Sequence, residues 1–220
     1  MSTSDYFSNH GRATKWPFTL YHRPIEDDLH AALKATLDDV KKAGRAPRVM
    51  IFGCGLFHEE ALFRDVPELL LVDTDDRLEA PLREHLKHRD GVEYCFASSA
   101  EELDANIEEQ SVDLIIAKEV VEHILDPRAY YRVWQRALRK GGRLWMSTPN
   151  YGACVLPFIE STFLEGVARA QGFSRRHIHP NKYSRGRLHN ELMRSGFIDV
   201  DVEETPMLLA LCANARVSDL

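Results

Sequence analysis

The sequence predicts an α/β protein in which helices cover both faces of a mostly parallel, doubly wound sheet. Three observations predict this fold class. Short apolar runs alternate with amphipathic stretches along most of the chain. The apolar run 49–52 leads into Gly53–Gly55, whose glycines allow a sharp turn and close approach to a ligand. The next apolar run, 69–72, ends on Asp73, and a carboxylate there is typical of folds that hold a ribose.

Composition narrows the class of protein. The chain has 220 residues, 44% hydrophobic and 28% charged, which predicts one domain with a sizeable core. A net charge of −6 and a pI near 5.9 argue against nucleic-acid partners. The four cysteines lack C-x-x-C spacing, no apolar run could cross a bilayer, and the N-terminus lacks a signal-peptide pattern. We therefore expect free thiols, no membrane association and a cytoplasmic location.

The predicted elements follow one another regularly. Residues 1–24 carry aromatic side chains without a period, which fits either a surface arm or a lid over a substrate. Asp126 is expected to cap a helix that begins at Pro127. The short turn 204–206 permits only an antiparallel hairpin between the last two strands. Helices are predicted over 25–43, 58–64, 76–88, 100–107, 127–140, 151–172 and 184–195, and strands over 49–52, 69–72, 92–96, 112–117, 143–148, 197–203 and 207–213.

The middle of the chain resembles a known family. The fourth strand is followed by Lys118-Glu119-Val120-Val121-Glu122-His123, then by the run 136–144 and by Ser147-Thr148-Pro149-Asn150. This order is similar to class I S-adenosylmethionine-dependent methyltransferases. It looks closest to the branch of ubiquinone-biosynthesis O-methyltransferases and type 11 small-molecule enzymes, over residues 45–210. The resemblance implies a Rossmann-like, seven-stranded sheet with an antiparallel last strand. It also implies a single methyltransferase domain over 1–220.

The resemblance further implies the cofactor site. In this family the glycine loop lines the methionine moiety, and the aspartate binds both ribose hydroxyls. The segment after the third strand contacts adenine, and the end of the fourth strand lies beside the sulfonium. Carried onto this sequence, the S-adenosylmethionine-binding set is Gly53, Cys54, Gly55, Asp73, Thr74, Ser99, Ala100, Ala117 and Lys118.

Three positions depart from the family pattern. Ile51 stands where an acidic residue is usual, Phe57 where a third glycine is usual, and Ser99 where aspartate is frequent. Ile51 removes an expected partner for the cofactor's ammonium group, and Glu59 or Glu60 could replace it. These departures favour the alternative of a non-catalytic or regulatory protein on the same fold. The missing third glycine also argues against a dinucleotide dehydrogenase.

His123 is the candidate catalytic base, because its ordinary pKa is near neutral and it follows the fourth strand. A structural histidine that caps the next helix is the alternative. Glu119, Glu122 and His123 have the spacing of one helical face and could hold a divalent cation that orients a diol. A solvated acidic turn is favoured over a metal site, so no metal is expected.

The acceptor site is expected after residue 150. The segment 169–194 is locally basic, and its arginines would suit a carboxylate or phosphate. We expect residues 1–44 to form the arm and first helix, 45–150 the cofactor half, and 151–220 the substrate half and the hairpin. The predicted substrate-binding residues are Glu122, Tyr151, Arg176, His177 and His179.

The predicted function is O-methylation of a small-molecule hydroxyl, in secondary or cofactor metabolism. The acceptor is expected to be anionic or aromatic, with no nucleic-acid or membrane partner, and the protein a monomer or homodimer. The basic segment 169–194 leaves a second alternative open, methylation of a macromolecule such as tRNA or protein.

Overall fold

A seven-stranded sheet forms the centre of the protein, for which a computed structural model describes residues 19–159 and 179–219. The strand order is β3-β2-β1-β4-β5-β7-β6. Only β7 runs antiparallel to its neighbours β5 and β6. This confirms the predicted fold class and the C-terminal hairpin. The strands are β1 (Arg48–Phe52), β2 (Glu68–Asp73), β3 (Val92–Phe96), β4 (Val112–Lys118), β5 (Leu138–Pro149), β6 (Ile198–Glu204) and β7 (Ala210–Arg216).

Helices cover both faces of the sheet, and each face has its own apolar core. Adjacent residues of β1 point into opposite cores, with Met50 in one and Ile51 in the other. This explains why the central strands read as unbroken apolar runs. No helix among the described residues is both long and apolar enough to cross a membrane. The helices are α1 (Thr19–Lys42), α2 (Glu79–His85), α3 (Ala100–Asn106), α4 (Pro127–Ala137), α5 (Val155–Ile159) and α6 (Arg185–Arg194).

Several helix boundaries differ from the prediction. The first helix begins at Thr19 and includes Pro24, whereas the sequence pattern placed its start at residue 25. The α4 helix ends at Ala137 instead of residue 140. The amides of Gln110 and Ser111 donate to the carbonyls of its last two residues at 2.8 Å, and Leu138 then pairs with β4. Tertiary contacts therefore end this helix, and the local sequence pattern does not indicate them.

Shorter helical segments also change. The stretch 58–64 forms only a 3₁₀ turn over Glu60–Phe63. The stretch 76–88 divides into a 3₁₀ turn and α2, with its three leucines buried as predicted. Asp126 occupies the cap position of α4, but its side chain makes no cap hydrogen bond within the described residues, so the predicted capping role is wrong. The predicted arm up to residue 18, and most of the helix predicted over 151–172, lie outside the described residues.

Candidate active site

The carboxyl ends of four neighbouring parallel strands form one edge, called here the cofactor edge. The strand order reverses between β1 and β4, where open α/β sheets have a ligand-binding crevice. Asp73 ends β2, and its carboxylate accepts hydrogen bonds from the amides of Gly55 at 2.9 Å, Thr74 at 2.8 Å and Asp75 at 3.1 Å. A carboxylate has about four acceptor positions, so one position remains for a ribose hydroxyl.

The glycine loop is fastened to β2 by main-chain bonds. The amides of Gly53 and Cys54 both donate to the Val72 carbonyl, at 2.9 and 3.1 Å. Gly53 has a φ of 71°, and a Cβ built there would lie 2.5 Å from Cγ2 of Val120. Burial raises the pKa of the Cys54 thiol, so this side chain is a neutral packing group. Glycine is therefore required at position 53 both by conformation and by space.

The departures at Ile51 and Phe57 do not distort the loop. Ile51 is buried in the core beneath α1. Phe57 is also buried, packs on Phe63 with 5.3 Å between ring centroids, and has a φ of 51°. It thus keeps the left-handed backbone that a glycine would supply. That conformation costs about 1–2 kcal/mol, and burying an aromatic side chain contributes a stabilisation of similar size, about 1.5–3 kcal/mol.

Glu59 and Glu60 have different surroundings. Oε1 of Glu59 accepts from Nζ of Lys118 at 2.8 Å, which places Glu59 at the cofactor edge. Glu60 instead pairs with Nε2 of His88 at 2.9 Å. Burial lowers the pKa of Lys118, but the charges of Glu59 and of Glu26 in α1 outweigh this effect and raise it. Of the two predicted replacements for the missing acidic residue, Glu59 is the one in position.

The remaining predicted cofactor residues follow the same edge. Ser99 and Ala100 come directly after β3, and Ala117 is fully buried at the end of β4. The Ser99 hydroxyl accepts from the amide of Glu102 at 3.2 Å and so caps α3. The structure therefore brings the predicted set together, with Ser99 also holding a helix end.

Beyond β4, the chain turns at Glu119, which has a φ of 55°. Its carboxylate accepts from the hydroxyls of Tyr21, in α1, and of Ser147, in β5, the latter at 2.9 Å. Burial raises the pKa of Glu119, and these two hydrogen bonds offset part of the effect. No local sequence pattern indicates the Tyr21 contact, because Tyr21 and Glu119 are 98 positions apart.

Glu122 is the second buried carboxyl group, with 1% of its surface exposed. Thr148 Oγ1 donates to its Oε2 at 3.0 Å. Burial, followed by the nearby Glu119 charge, raises the pKa of Glu122 well above its ordinary value. A carboxyl group that binds its proton this strongly is characteristic of functional sites.

Four of the predicted residues lie close together and are called here the acceptor cluster: Glu122, His123, Tyr151 and His179. The His123 side chain is 47% exposed, and its Nε2 lies 3.9 Å from Oε1 of Glu122. Its ring packs edge-on against that of His179, with 4.8 Å between centroids. Nδ1 of His179 shares a hydrogen bond with the Tyr151 hydroxyl at 2.5 Å. Arg176 and His177 lie outside the described residues.

The geometry changes the metal hypothesis. Glu122, His123 and His179 each offer one ligand atom, and these atoms lie within 4.8 Å of one another. Glu119 does not share a helical face with Glu122 and His123, because the 3₁₀ helix here covers only Val121–His123. The donor set for a divalent cation therefore contains His179 instead of Glu119.

Asn181 stabilises the main chain of the loop that carries Glu122 and His123. The sequence analysis did not identify this residue. Its amide donates to the Glu122 carbonyl at 3.2 Å, and its Nδ2 donates to the Ile124 carbonyl at 2.5 Å. Next to it, Tyr183 pairs with Asn150 at the end of β5. A local pattern could not have revealed these contacts, since the partners lie on segments far apart in sequence.

The chain belongs to the methyltransferase domain family, whose model matches residues 21–202. The family, the seven-stranded fold and the cofactor edge define an enzyme, a transferase that uses S-adenosylmethionine as its cofactor. The family match is to the methyltransferase domain in general and does not extend to the ubiquinone-related branch. No curated protein is similar enough in sequence to count as a match.

Solved methyltransferase structures have a similar fold at low sequence identity. The CurJ carbon methyltransferase aligns at 16% identity with a TM-score of 0.60, covering 79% of this chain and 49% of that one. An S-adenosylmethionine-dependent methyltransferase from Mesorhizobium loti aligns at 22% identity with a TM-score of 0.58. The alignment covers 84% of this chain and 96% of that one. Phosphoethanolamine N-methyltransferase 2 of Haemonchus contortus, solved with S-adenosylhomocysteine, aligns at 17% identity with a TM-score of 0.61. The alignment covers 84% of this chain and 52% of that one. The chain thus spans about half the length of the first and third.

Proposed function

We propose that the enzyme transfers the methyl group of S-adenosylmethionine to a hydroxyl of a small-molecule acceptor, as in secondary or cofactor metabolism. The observation that carries this proposal is the acceptor cluster. A half-exposed imidazole, His123, lies against the buried carboxyl group of Glu122 one turn after β4, next to the cofactor edge. A hydroxyl must lose a proton when it is methylated, and His123 is the group within reach of solvent that can accept it.

The roles of the residues follow from their contacts. Bound S-adenosylmethionine supplies a sulfonium-activated methyl group for in-line displacement. His123 accepts the acceptor's proton at a ring nitrogen. Glu122 lies 3.9 Å from the ring that takes up this proton, and Thr148 holds Glu122 in place. Tyr151 fixes His179 beside His123, so the ring that lines the acceptor's path has a defined orientation.

The nature of the cluster favours oxygen over nitrogen as the methylated atom. A neutral amine attacks without prior loss of a proton, so it gains little from a histidine–glutamate pair. A carbon acceptor also has to lose a proton, and CurJ is named a carbon methyltransferase. We propose oxygen because the cluster combines a base with polar groups that can orient a hydroxyl.

A cation-dependent form of the same reaction is the second candidate. Two imidazoles and one carboxylate within 4.8 Å form a donor set suited to a divalent cation. Such an ion would bind adjacent hydroxyls of the acceptor and lower their pKa. In this form Glu122, His123 and His179 are ligands, and the cation takes over the activation of the hydroxyl.

One assay tests these proposals together. Purified protein is incubated with methyl-¹³C S-adenosylmethionine and three matched acceptors: a catechol, an aromatic amine and a 1,3-diketone. The ¹³C shift of the transferred methyl group identifies the methylated atom. We expect methylation of the catechol oxygen. Methyl transfer to nitrogen or carbon alone would contradict the proposal.

The same assay with and without a chelator separates the two forms. Activity that survives EDTA assigns proton removal to His123. Activity that disappears with EDTA and returns with Mg²⁺ or Mn²⁺ assigns the three residues as ligands. His30→Gln, an exposed histidine on α1, is the matched control for His123→Gln.

A further inference from the structure

A second concave surface lies beside the acceptor cluster. It has a volume of about 330 Å³ and is called here the arginine depression. One wall is the first turn of α4, and the other is one face of α6, where lining residues recur at helical spacing. The lining residues are Arg128, Arg187, Asn190, Glu191 and Arg194.

The charge in this depression is strongly positive for a protein whose net charge is −6. Three guanidinium groups face one carboxylate. Glu191 is only 11% exposed and pairs with Nε of Arg187 at 3.6 Å. Within residues 19–159 and 179–219, Arg128 and Arg194 have no ion-pair or hydrogen-bond partner. Two uncompensated guanidinium groups therefore line the same opening.

Arg187 gives the depression a fixed wall. Its Nη1 donates to the Lys182 carbonyl at 2.7 Å and its Nη2 to Oδ1 of Asn181 at 2.8 Å. Its guanidinium also stacks over the Tyr183 ring at 4.8 Å from the centroid. A guanidinium held on three sides loses little further freedom when an anion binds.

Asn181 connects the depression to the acceptor cluster. The residue whose Oδ1 accepts from Arg187 also donates its main-chain amide to the Glu122 carbonyl at 3.2 Å. Arg187 and Asn181 thus link the wall of the depression to the loop of the acceptor cluster. A molecule with an anionic group in the depression could place another part at the cluster.

We propose that the arginine depression binds a phosphate group, held by charge-assisted hydrogen bonds from Arg128 and Arg194 against the wall formed by Arg187. Phosphate is favoured because it carries more charge at neutral pH than a carboxylate and offers more acceptor oxygens to the converging guanidinium groups. That the phosphate belongs to the methyl acceptor, as a phosphomonoester of a small molecule, rests on the proposed function. Binding of phosphate itself does not.

Calorimetric titration at constant ionic strength tests the site. Inorganic phosphate and glycerol phosphate are titrated into wild type, Arg128→Gln, Arg194→Gln and the matched control Lys34→Gln, an exposed cation on the opposite face of the sheet. We expect each arginine variant to bind about tenfold more weakly, since a hydrogen bond to a charged group contributes at least this much. Lys34→Gln should bind like wild type. Equal binding by all four proteins would overturn the proposal.

Two further measurements define the ligand. Arg194→Lys keeps the charge but loses the planar fork, so its affinity should fall between those of wild type and Arg194→Gln. A short single-stranded RNA is titrated in parallel. If RNA binds far more tightly than glycerol phosphate, with a steep salt dependence, the small-molecule assignment is wrong. Catechol methylation by Arg128→Gln, measured separately, shows whether the proposed function stands when phosphate binding is lost.

Discussion

The cofactor edge and the acceptor cluster are held together by different parts of the chain. At the cofactor edge, main-chain amides bond Asp73, and the glycine loop is fastened to a strand carbonyl. In the acceptor cluster, side chains hold side chains, as Thr148 holds Glu122 and Tyr151 holds His179. The main-chain groups of the cofactor edge stay in place under most single substitutions, and Asp73 is the side chain on which they converge. A site made by side chains changes with single substitutions, so the acceptor can vary while the cofactor is kept.

Substitution of His123 by alanine should have the largest effect. That effect should be confined to the acceptor cluster. Loss of general-base catalysis lowers kcat by roughly 10²- to 10⁴-fold. The dissociation constant of S-adenosylmethionine should stay near its wild-type value, because the His123 ring packs on His179 and lies next to Glu122, which both belong to the acceptor cluster. Steady-state kinetics and calorimetry measure the two quantities. A parallel loss of cofactor affinity would show that the two regions are not separate, and His30→Ala serves as the control.

Asp73→Ala should have the complementary effect at the cofactor edge. Loss of one hydrogen bond to a ribose hydroxyl, about 1.5 kcal/mol or more, should weaken cofactor binding roughly tenfold. Release of the Gly55 amide, which donates to this carboxylate at 2.9 Å, should weaken it further. Calorimetry with S-adenosylhomocysteine measures the loss. The exposed Asp76→Ala is the matched control, and equal affinity of both variants would contradict the assigned role.

Gly53→Ala tests the packing of the glycine loop against Val120, two residues before Glu122. The added Cβ would lie 2.5 Å from Val120, and the φ of 71° is unfavourable for alanine. We expect a loss of about 2 kcal/mol in the free energy of unfolding, with about half from backbone strain. Val120→Ala in the same chain should restore the part that comes from the clash. If the double variant is no more stable than Gly53→Ala, the contact is not the cause.

Glu119→Gln should raise stability in a pH-dependent way. Burial raises the pKa of Glu119 in the folded state, so wild type loses stability as pH rises from the ordinary value of 4.5 through the folded value. The variant lacks this titration, and each pKa unit contributes about 1.4 kcal/mol to its advantage. The single amide oxygen of Gln can accept from one of the Tyr21 and Ser147 hydroxyls, and its Nε2 can donate to the other. Denaturant unfolding of both proteins from pH 4 to 8, with EDTA present, should show a difference that grows with pH. A constant difference would contradict the inferred direction.

The sequence predicted the sheet and the cofactor edge because the residues that specify both lie close together along the chain. An apolar run, a glycine pair and an aspartate at the end of the next strand specify the strand ends with little tertiary information. Ser99 was placed correctly after β3, but its capping of α3 was not foreseen. The early end of α4 was missed because amides from the loop between α3 and β4 bind its last carbonyls.

The acceptor cluster was predicted residue by residue but not as a geometry. Helical spacing placed Glu119 with Glu122 and His123, whereas a left-handed turn at Glu119 directs it to Tyr21. His179 takes its place, from a segment that no local pattern connects to β4. Asn181 was missed for the same reason. Contacts between distant segments depend on how the chain returns to the sheet, which periodicity does not encode.

The pairing of Asn150 with Tyr183 has a consequence for how such enzymes can diversify. The Tyr151 amide donates to the Tyr183 carbonyl at 2.7 Å, so the chain leaves and re-enters the sheet edge at a single point. The two ends of the stretch 152–182 are therefore held next to each other. Lengthening a closed loop costs little, about 0.6 kcal/mol for each doubling. A change in the number of residues between these two ends therefore costs little and leaves the pairing of Asn150 with Tyr183 in place.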